Sequence, residues 1–303
     1  MGTHILYPSD LTDIEWQYLE PLLPLAKTTG RPRQWPLRSI LNGIFYLIRS
    51  GCAWRMLPRE YPPWTTVYDY CRHWRQDGTW ERIHTRIREL VRETVGRNAN
   101  PSGAVLDSQS VKTTDRGGPA RGHTIGYDGF KKVKGRKRQL LVDTQGLVLK
   151  VKMTSAQLPE RTGGQQLLEP LKPQFPRLKI VWADQGYTGD LSDWMKNHLG
   201  WRLEIVQRTS PADHKEKMWA TARKRQKAGA TVVEMWAGLN YGRGIEVLPR
   251  RWVVERTFAW LGKSRRLAKD YEFLPSTSEA MVYITMTRLM LRRLDKFSRE
   301  KQP

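Results

Sequence analysis

The apolar pattern of this chain changes period once, and that change limits what it can fold into. Up to residue 96 apolar side chains recur at helical spacing; past the segment GRNANPSG at 96–103 they alternate or form short runs. Helices therefore come first, and strands mixed with helices follow. Asp10 can cap a first helix with Leu11, Ile14, Tyr18 and Leu22 on one face, closed by Pro21 and Pro24. A second follows Pro36, carrying Leu37, Ile40, Leu41, Ile44, Leu47 and Ile48 before Gly51. Beyond Tyr61-Pro-Pro-Trp, Thr65 or Thr66 can cap a third with Val67, Tyr70, Cys71 and Trp74 inward and Tyr68, Arg72, His73 and Arg75 outward. Thr79 can cap a fourth with Ile83, Ile87, Leu90, Val91 and Val95 in register. Such helices suit a helix-turn-helix DNA reader touching DNA through Arg72, His73 and Arg75. They equally suit a small bundle with a solvated charged face.

In the second part, Ala104 to Asp107 reads as a buried strand ending in an acid. Residues 116–138 hold six glycines and the cluster Lys131, Lys132, Lys134, Arg136, Lys137 and Arg138, which reads as a loop able to grip phosphates or as a solvated charge run. Gln139–Asp143 and Leu147–Met153 form a hairpin. A helix from Glu160 to about Lys172, a strand ending at Asp184, a helix over 191–198 and a strand over 202–206 follow. A basic, Ala-rich segment over 209–245 then interrupts the order before an amphipathic helix from Arg250 to about Arg266. Ser276 and Glu279 match a capping box for a last helix over about 277–297. The expected fold is α+β or α/β: an all-helical, helix-turn-helix-like domain (1–96), a linker (97–103) and a mixed-sheet domain (104–303).

Lys and Arg total 52 against 30 Asp and Glu, a formal charge of +22 that implies a polyanionic partner, most simply nucleic acid. The excess climbs along the chain: +4 over residues 1–100, +7 over 101–200 and +11 over 201–303. The longest apolar run, Ile40 to Ile48, is too short for a membrane span and contains Asn42 and Gly43, so neither a membrane helix nor a secretory signal is expected. Cys52 and Cys71 are too few for a disulfide framework or a zinc site and fit a reducing, cytoplasmic setting.

Three acids fall where a mixed sheet could gather them. Asp107 and Asp184 end strands that are neighbours if the first and fourth strands lie side by side. Glu255 stands on a helix rich in apolar residues, where a carboxylate is costly unless it is paired or holds a metal. Oxygen donors without His or Cys suggest Mg²⁺ or Mn²⁺, and two such ions would suit an in-line phosphoryl displacement. Singly, Asp107 could cap a turn, Asp184 open the Gln-Gly-Tyr loop, and Glu255 pair with Arg251.

Several segments together resemble a known family. Tyr7-Pro-Ser-Asp-Leu-Thr-Asp, Gly51-Cys-Ala-Trp-Arg-Met-Leu-Pro58, Asp107-Ser-Gln-Ser-Val-Lys-Thr113, Lys134-Gly-Arg-Lys-Arg138, Trp182-Ala-Asp-Gln-Gly-Tyr187 and Arg250-Arg-Trp-Val-Val-Glu-Arg-Thr-Phe-Ala-Trp-Leu261 look like those of IS5-family insertion-sequence transposases, in the IS4-like group. The likeness runs from about Tyr7 to Leu294. It implies an RNase H-like DDE catalytic domain, Asp107, Asp184 and Glu255 as catalytic and metal-binding triad, two Mg²⁺ or Mn²⁺ ions, and at least a dimer to bring two DNA ends together. The group's signature around the Glu is Tyr, two residues, Arg, three residues, Glu, six residues, Lys. Arg251 matches its Arg; Leu248 replaces the Tyr, and Gly262 holds the Lys position with Lys263 next to it. The family's connection before the Glu helix is shorter, so residues 209–245 look like an added basic module.

The resemblance implies a prokaryotic, nucleoid-associated enzyme that binds terminal inverted repeats, cuts the element ends and joins 3′-hydroxyls to target DNA. Arg251, Lys263 and the 131–138 cluster would hold phosphates. No nucleotide cofactor is expected, since Gly-x-x-x-x-Gly-Lys-Ser/Thr is lacking. The alternatives are a decayed transposase retained as a repressor, and a nuclease or resolvase that cuts without joining.

Overall fold

The structure, a computed structural model, describes residues 7–25, 32–114, 125–206, 211–236 and 252–300. Four helices open it: α1 (Asp13–Leu19), α2 (Leu37–Ser50), α3 (Trp64–Gln76) and α4 (Thr79–Thr94). Thr12, not Asp10, caps α1: its hydroxyl accepts the Glu15 N–H while Glu15 accepts the Thr12 N–H, a complete capping box. Asp10 is buried and accepts the Tyr61 hydroxyl at 2.7 Å. Pro63 stands at the α3 N-cap instead of a threonine, and Gly78 precedes α4 with φ +74, Asp77 accepting the Thr79 N–H. Gly51 ends α2 in the left-handed conformation, where an added Cβ would also press on Arg265. The connection between α2 and α3 spans 51–63, longer than a tight helix-turn-helix turn.

A six-stranded mixed sheet follows. Its strands are β1 (Gly103–Lys112), β2 (Gly126–Asp128), β3 (Val133–Asp143), β4 (Val148–Ser155), β5 (Ile180–Ala183) and β6 (Arg202–Ile205). The order β2-β3-β1-β5-β6, with β4 on β3, makes β3 antiparallel to β1 and β4, and β5 parallel to β1 and β6. β1 runs well past Asp107 because β3 pairs with it as far as Lys112↔Gly135. At that point a Cβ on Gly135 would overlap the Val111 carbonyl, so only glycine lets the two backbones close.

Period-2 alternation sorts the strands between two layers. Val105, Leu140, Val142, Val148, Val151 and Trp182 face α9 (Trp252–Gly262), α10 (Pro275–Glu300) and the N-terminal helices. Ala104, Leu106, Leu141, Leu149, Val181 and Ala183 face α5 (Glu160–Leu168) and α6 (Leu191–Trp194). The fold is therefore the expected helical region followed by a mixed sheet with helices on both faces, of RNase H-like form. α10 does not start with the expected capping box: Ser276 accepts from Arg75, and the Glu279 carboxylate accepts the Met153 N–H at 2.8 Å.

The helical region shares its core with the sheet. α10 packs on α1, α2, α3, α4 and β4, and one apolar cluster joins Leu19, Ile44 and Ile87 to Val148 and Met286. Buried ion pairs stitch the same seam, Arg92 to Asp143 and Arg288 to Glu15. The helices before residue 97 thus share their core with α10, from the other end of the chain. The described part of the 209–245 segment forms α7 (Pro211–Lys227) and α8 (Val232–Trp236). Among the described residues, no helix is long and apolar enough to cross a membrane.

Candidate active site

β1 and β5 fix the site between them. Their parallel pairing runs from Gly103↔Ile180 to Val105↔Trp182, and the same offset two residues on sets Asp107 opposite Asp184. Asp107 shares the α9 side of β1 with Val105, whereas Ser108 points with Leu106 toward α5. Asp184 follows the last residue of β5 and caps the short turn Gln185–Tyr187, accepting the Gly186 N–H at 2.9 Å.

A third carboxylate, unforeseen in the sequence, joins from the other face. Glu160 stands in the first turn of α5, where an acid is ordinary. Its Oε1 accepts from Ser108 Oγ at 2.8 Å and from Lys131 Nζ at 3.0 Å. A Cβ on Gly186 would overlap this carboxylate, and one on Gly163 or Gly164 would meet Gln139 or Tyr187. The Gly163-Gly164 pair, which lets α5 lie this close, was the signal in the sequence.

Asp107, Glu160 and Asp184 line one cleft of about 590 Å³, with Ser108, Asp128, Phe130, Lys131 and Phe258 among its walls. Tyr187 reports on the same convergence from below. It is fully buried and donates to Gln139 Oε1 at 3.2 Å. Burial, and then the charges of Asp107, Glu160 and Asp184, hold its hydroxyl well above the usual tyrosine range.

Glu255 stands exposed on α9, one turn before Phe258, but is not itself a wall of the cleft. Val253, Val254 and Leu261 bury the opposite side of α9, which packs on β1 and β3. Among the described residues, no three His, Cys, Asp or Glu are grouped as a ready metal-ligand set. The structure thus brings Asp107 and Asp184 together and leaves Glu255 on the adjoining helix. The cleft's donors are carboxylate oxygens with no His or Cys, which fits a hard cation such as Mg²⁺ or Mn²⁺.

The basic cluster divides in two. Lys131, Lys132 and Lys134 are exposed on the β2–β3 hairpin, whose turn Asp128 holds by accepting the Phe130 and Lys131 N–H groups. Phe130, 95% exposed, stands beside them on the cleft wall. Residues 136–138, expected in a loop, lie on β3 and turn inward. Arg136 is completely buried, its guanidinium bonded to Asp270 at 2.8 Å and to the Glu272 and Phe273 carbonyls. Arg138 donates to the Leu267 carbonyl at 2.8 Å, and burial lowers its pKa to about 10. Both arginines clamp the connection between α9 and α10 and are closed to phosphate. Lys137 is buried too, donating to the Leu158 carbonyl, with its Nζ 3.6 Å from Asp128.

The other basic candidates lie apart from the carboxylates. Lys263 borders a separate pocket of about 200 Å³ between α2, α9 and α10, together with Arg49, Arg288 and Arg292. On α3, Arg75 donates to Ser276 Oγ at 2.7 Å, Arg72 is 3.6 Å from Asp69, and His73 is exposed with its Nδ1 2.7 Å from the Asp69 carbonyl. Arg251 lies outside the described residues, as does Leu248.

Comparison with known proteins adds an independent line. A family described as "Putative transposase of IS4/5 family" matches residues 11–84, and a "Transposase DDE domain" family matches residues 98–290. The chain is similar to an uncharacterized 16.2 kDa protein of insertion element IS402 from Burkholderia cepacia, 30% identical over 113 residues, covering 35% of this chain and 76% of that protein. No solved structure matches the chain.

Proposed function

Because the chain belongs to the DDE transposases, of IS4/5 type, we propose that it cuts DNA at the ends of an insertion element and joins the freed 3′-hydroxyls to target DNA. The observation that supports this reading is one cleft lined both by Asp107, on β1, and by Asp184, directly after the neighbouring parallel strand β5. Asp107 and Asp184, completed by Glu255 from α9, would hold Mg²⁺ or Mn²⁺, which when bound activates a hydroxyl nucleophile and stabilises the departing oxygen. The residues of the chain supply position and charge. Lys131, Lys132 and Lys134 sit on a hairpin pinned by Asp128, placed to grip the backbone of a strand entering the cleft. Glu160, held by Ser108 and Lys131, keeps the Lys131 ammonium at the cleft until a phosphate competes for it.

Two chemical steps share this site. Water opens the phosphodiester at the element end, leaving a 3′-hydroxyl; that hydroxyl then attacks a target phosphodiester, exchanging one ester for another without nucleotide hydrolysis. Two ends must be held together, so the working species is at least a dimer. The N-terminal helices read the terminal repeats in this scheme, as the exposed His73 and half-exposed Arg72 of α3 would allow.

The test uses duplex DNA carrying the sequences that flank the gene, assayed for terminal inverted repeats. Asp107→Asn, Asp184→Asn and Glu255→Gln are each expected to slow Mg²⁺-dependent cleavage by about a thousandfold or more, with repeat binding near normal. Full cleavage by one variant would remove that residue from the site, and wild-type protein that binds without cutting would leave a DNA-binding repressor. Cutting without joining in a strand-transfer assay would leave a nuclease.

A further inference from the structure

α9 has three long edges. At about 100° per residue, Val253, Val254, Thr257 and Leu261 form the buried edge, Glu255 and Phe258 the edge toward the cleft, and Trp252, Arg256 and Trp260 the third. Rings and guanidiniums alternate along that third edge. The Arg256 Cζ lies 4.4 Å from the centre of the Trp252 ring and 4.7 Å from that of Trp260, and Arg293 of α10 lies 4.5 Å from Trp260. Beside them opens a groove of about 520 Å³, lined by Thr144, Gln145, Arg256, Arg293 and Lys296 together with Phe297 and Glu300.

The fold does not balance the charge gathered there. Arg293 has no hydrogen bond or ion pair among the described residues, only its ring contact. Arg256 donates to the Gln145 carbonyl at 2.9 Å but keeps a buried Nε without a hydrogen-bond partner among the described residues. The carboxylate that acts on both, Asp143, is itself buried and held by Arg92. Glu300 stays with Lys296 at 3.6 Å. Burial, and then the Arg256 charge, hold the Arg293 guanidinium below its ordinary pKa. Cation–π contact offsets only part of the cost of two neighbouring, half-buried guanidiniums, and an anion laid across them would offset the rest.

We infer that this groove is a second DNA track, holding the phosphate backbone across α9 from the strand in the carboxylate cleft. The inference rests on the DNA-cutting reading above. An α-helix with its side chains is about 10–12 Å across, and the major groove of a duplex is about 12 Å wide. The two backbones bordering one groove therefore reach both edges of α9 together. Between those edges stands Ala259, exposed and too small to obstruct. The partner is duplex DNA, gripped by its phosphates and not by its sequence.

The experiment measures salt dependence of binding of a short fluorescein-labelled duplex to the full chain, without divalent metal, by anisotropy. Arg293→Gln with Lys296→Gln is expected to lower the slope of log affinity against log salt by about two, one per lost phosphate contact, while Arg293→Lys keeps it. An unchanged slope in the double variant overturns the inference. Should the double variant melt below wild type, Lys296→Glu carries the test, since that side chain is 76% exposed: a slope lower by about one supports the track and an unchanged slope overturns it. The two readings fail separately. Wild-type protein that neither binds duplex nor nicks it with Mg²⁺ defeats the DNA-cutting reading and the track with it; wild-type protein that does both, beside variants of unchanged slope, defeats the track alone.

Discussion

Arg136 and Lys132 belong to one basic cluster in the sequence and have opposite fates in the fold. Arg136 is buried against Asp270, 134 residues away, and Lys132 is exposed at a turn with φ +53. Spacing alone could not separate them, because the partner that decides Arg136 is remote in the chain. Removing one side of a buried ion pair leaves the other charge stranded. Arg136→Gln is accordingly expected to cost about 3–5 kcal/mol in urea unfolding. Lys132→Gln should leave stability within about 0.5 kcal/mol and lower the salt slope of DNA binding by about one. Glu160 was hidden differently, since an acid in a first helical turn has an ordinary explanation in the helix dipole. Its hold on Ser108 and Lys131 beside Asp107 makes it a positioning residue. Glu160→Gln is expected to slow cleavage by about 10- to 100-fold without changing duplex affinity, and a normal cleavage rate would make it merely structural.

At the level of elements, period carried further than punctuation. The four N-terminal helices were legible because each buries one face at helical spacing, and β1, β4, β5 and the second half of β3 because short apolar runs feed both layers of the sheet; β2 and the start of β3, rich in glycine and lysine, read as a loop. Caps were misread where several candidates stood together: Thr12 won over Asp10 because Glu15 completes its box, and Glu279 was drawn away by the Met153 N–H. α4 carries a further element-scale consequence in His84, which faces Tyr283 of α10 at 5.0 Å between ring centres. His84 is fully buried, neither ring nitrogen has a hydrogen-bond partner among the described residues, and burial, then Arg88, holds its pKa well below 6.5. Its neutral form is the folded one, so the unfolded chain takes up the proton more readily. The contribution is complete above the unfolded pKa and is lost as pH falls through about 6.5, at up to about 1.4 kcal/mol per pH unit. Urea unfolding at pH 7.5 and 5.5 should show this loss, and His84→Gln should flatten it; an equal loss in the variant would place the acid sensitivity elsewhere.

Across the whole molecule, the charge gradient has a structural meaning that composition alone did not contain. The 131–134 hairpin and the α9–α10 groove put basic side chains on either side of α9, whereas Arg136, Arg138 and Arg288 are spent inside the fold. The boundary at 96–103 marks a real change of period, yet not a change of core, because α10 fills the N-terminal helices from the far end of the chain. Residues 1–96 expressed alone are therefore expected to lack a cooperative thermal transition, and adding a peptide of residues 275–300 should restore helical signal; a sharp melt of 1–96 by itself would contradict the shared core. The claim on which the rest depends is that Asp107 and Asp184 face each other across one ion-binding cleft. It is tested most directly by electron paramagnetic resonance of Mn²⁺ titrated into the full chain with element-end DNA present. Wild-type protein should bind the ion, and Asp107→Asn and Asp184→Asn should each lose most of that binding while folding normally. Unchanged Mn²⁺ binding in both variants would contradict it.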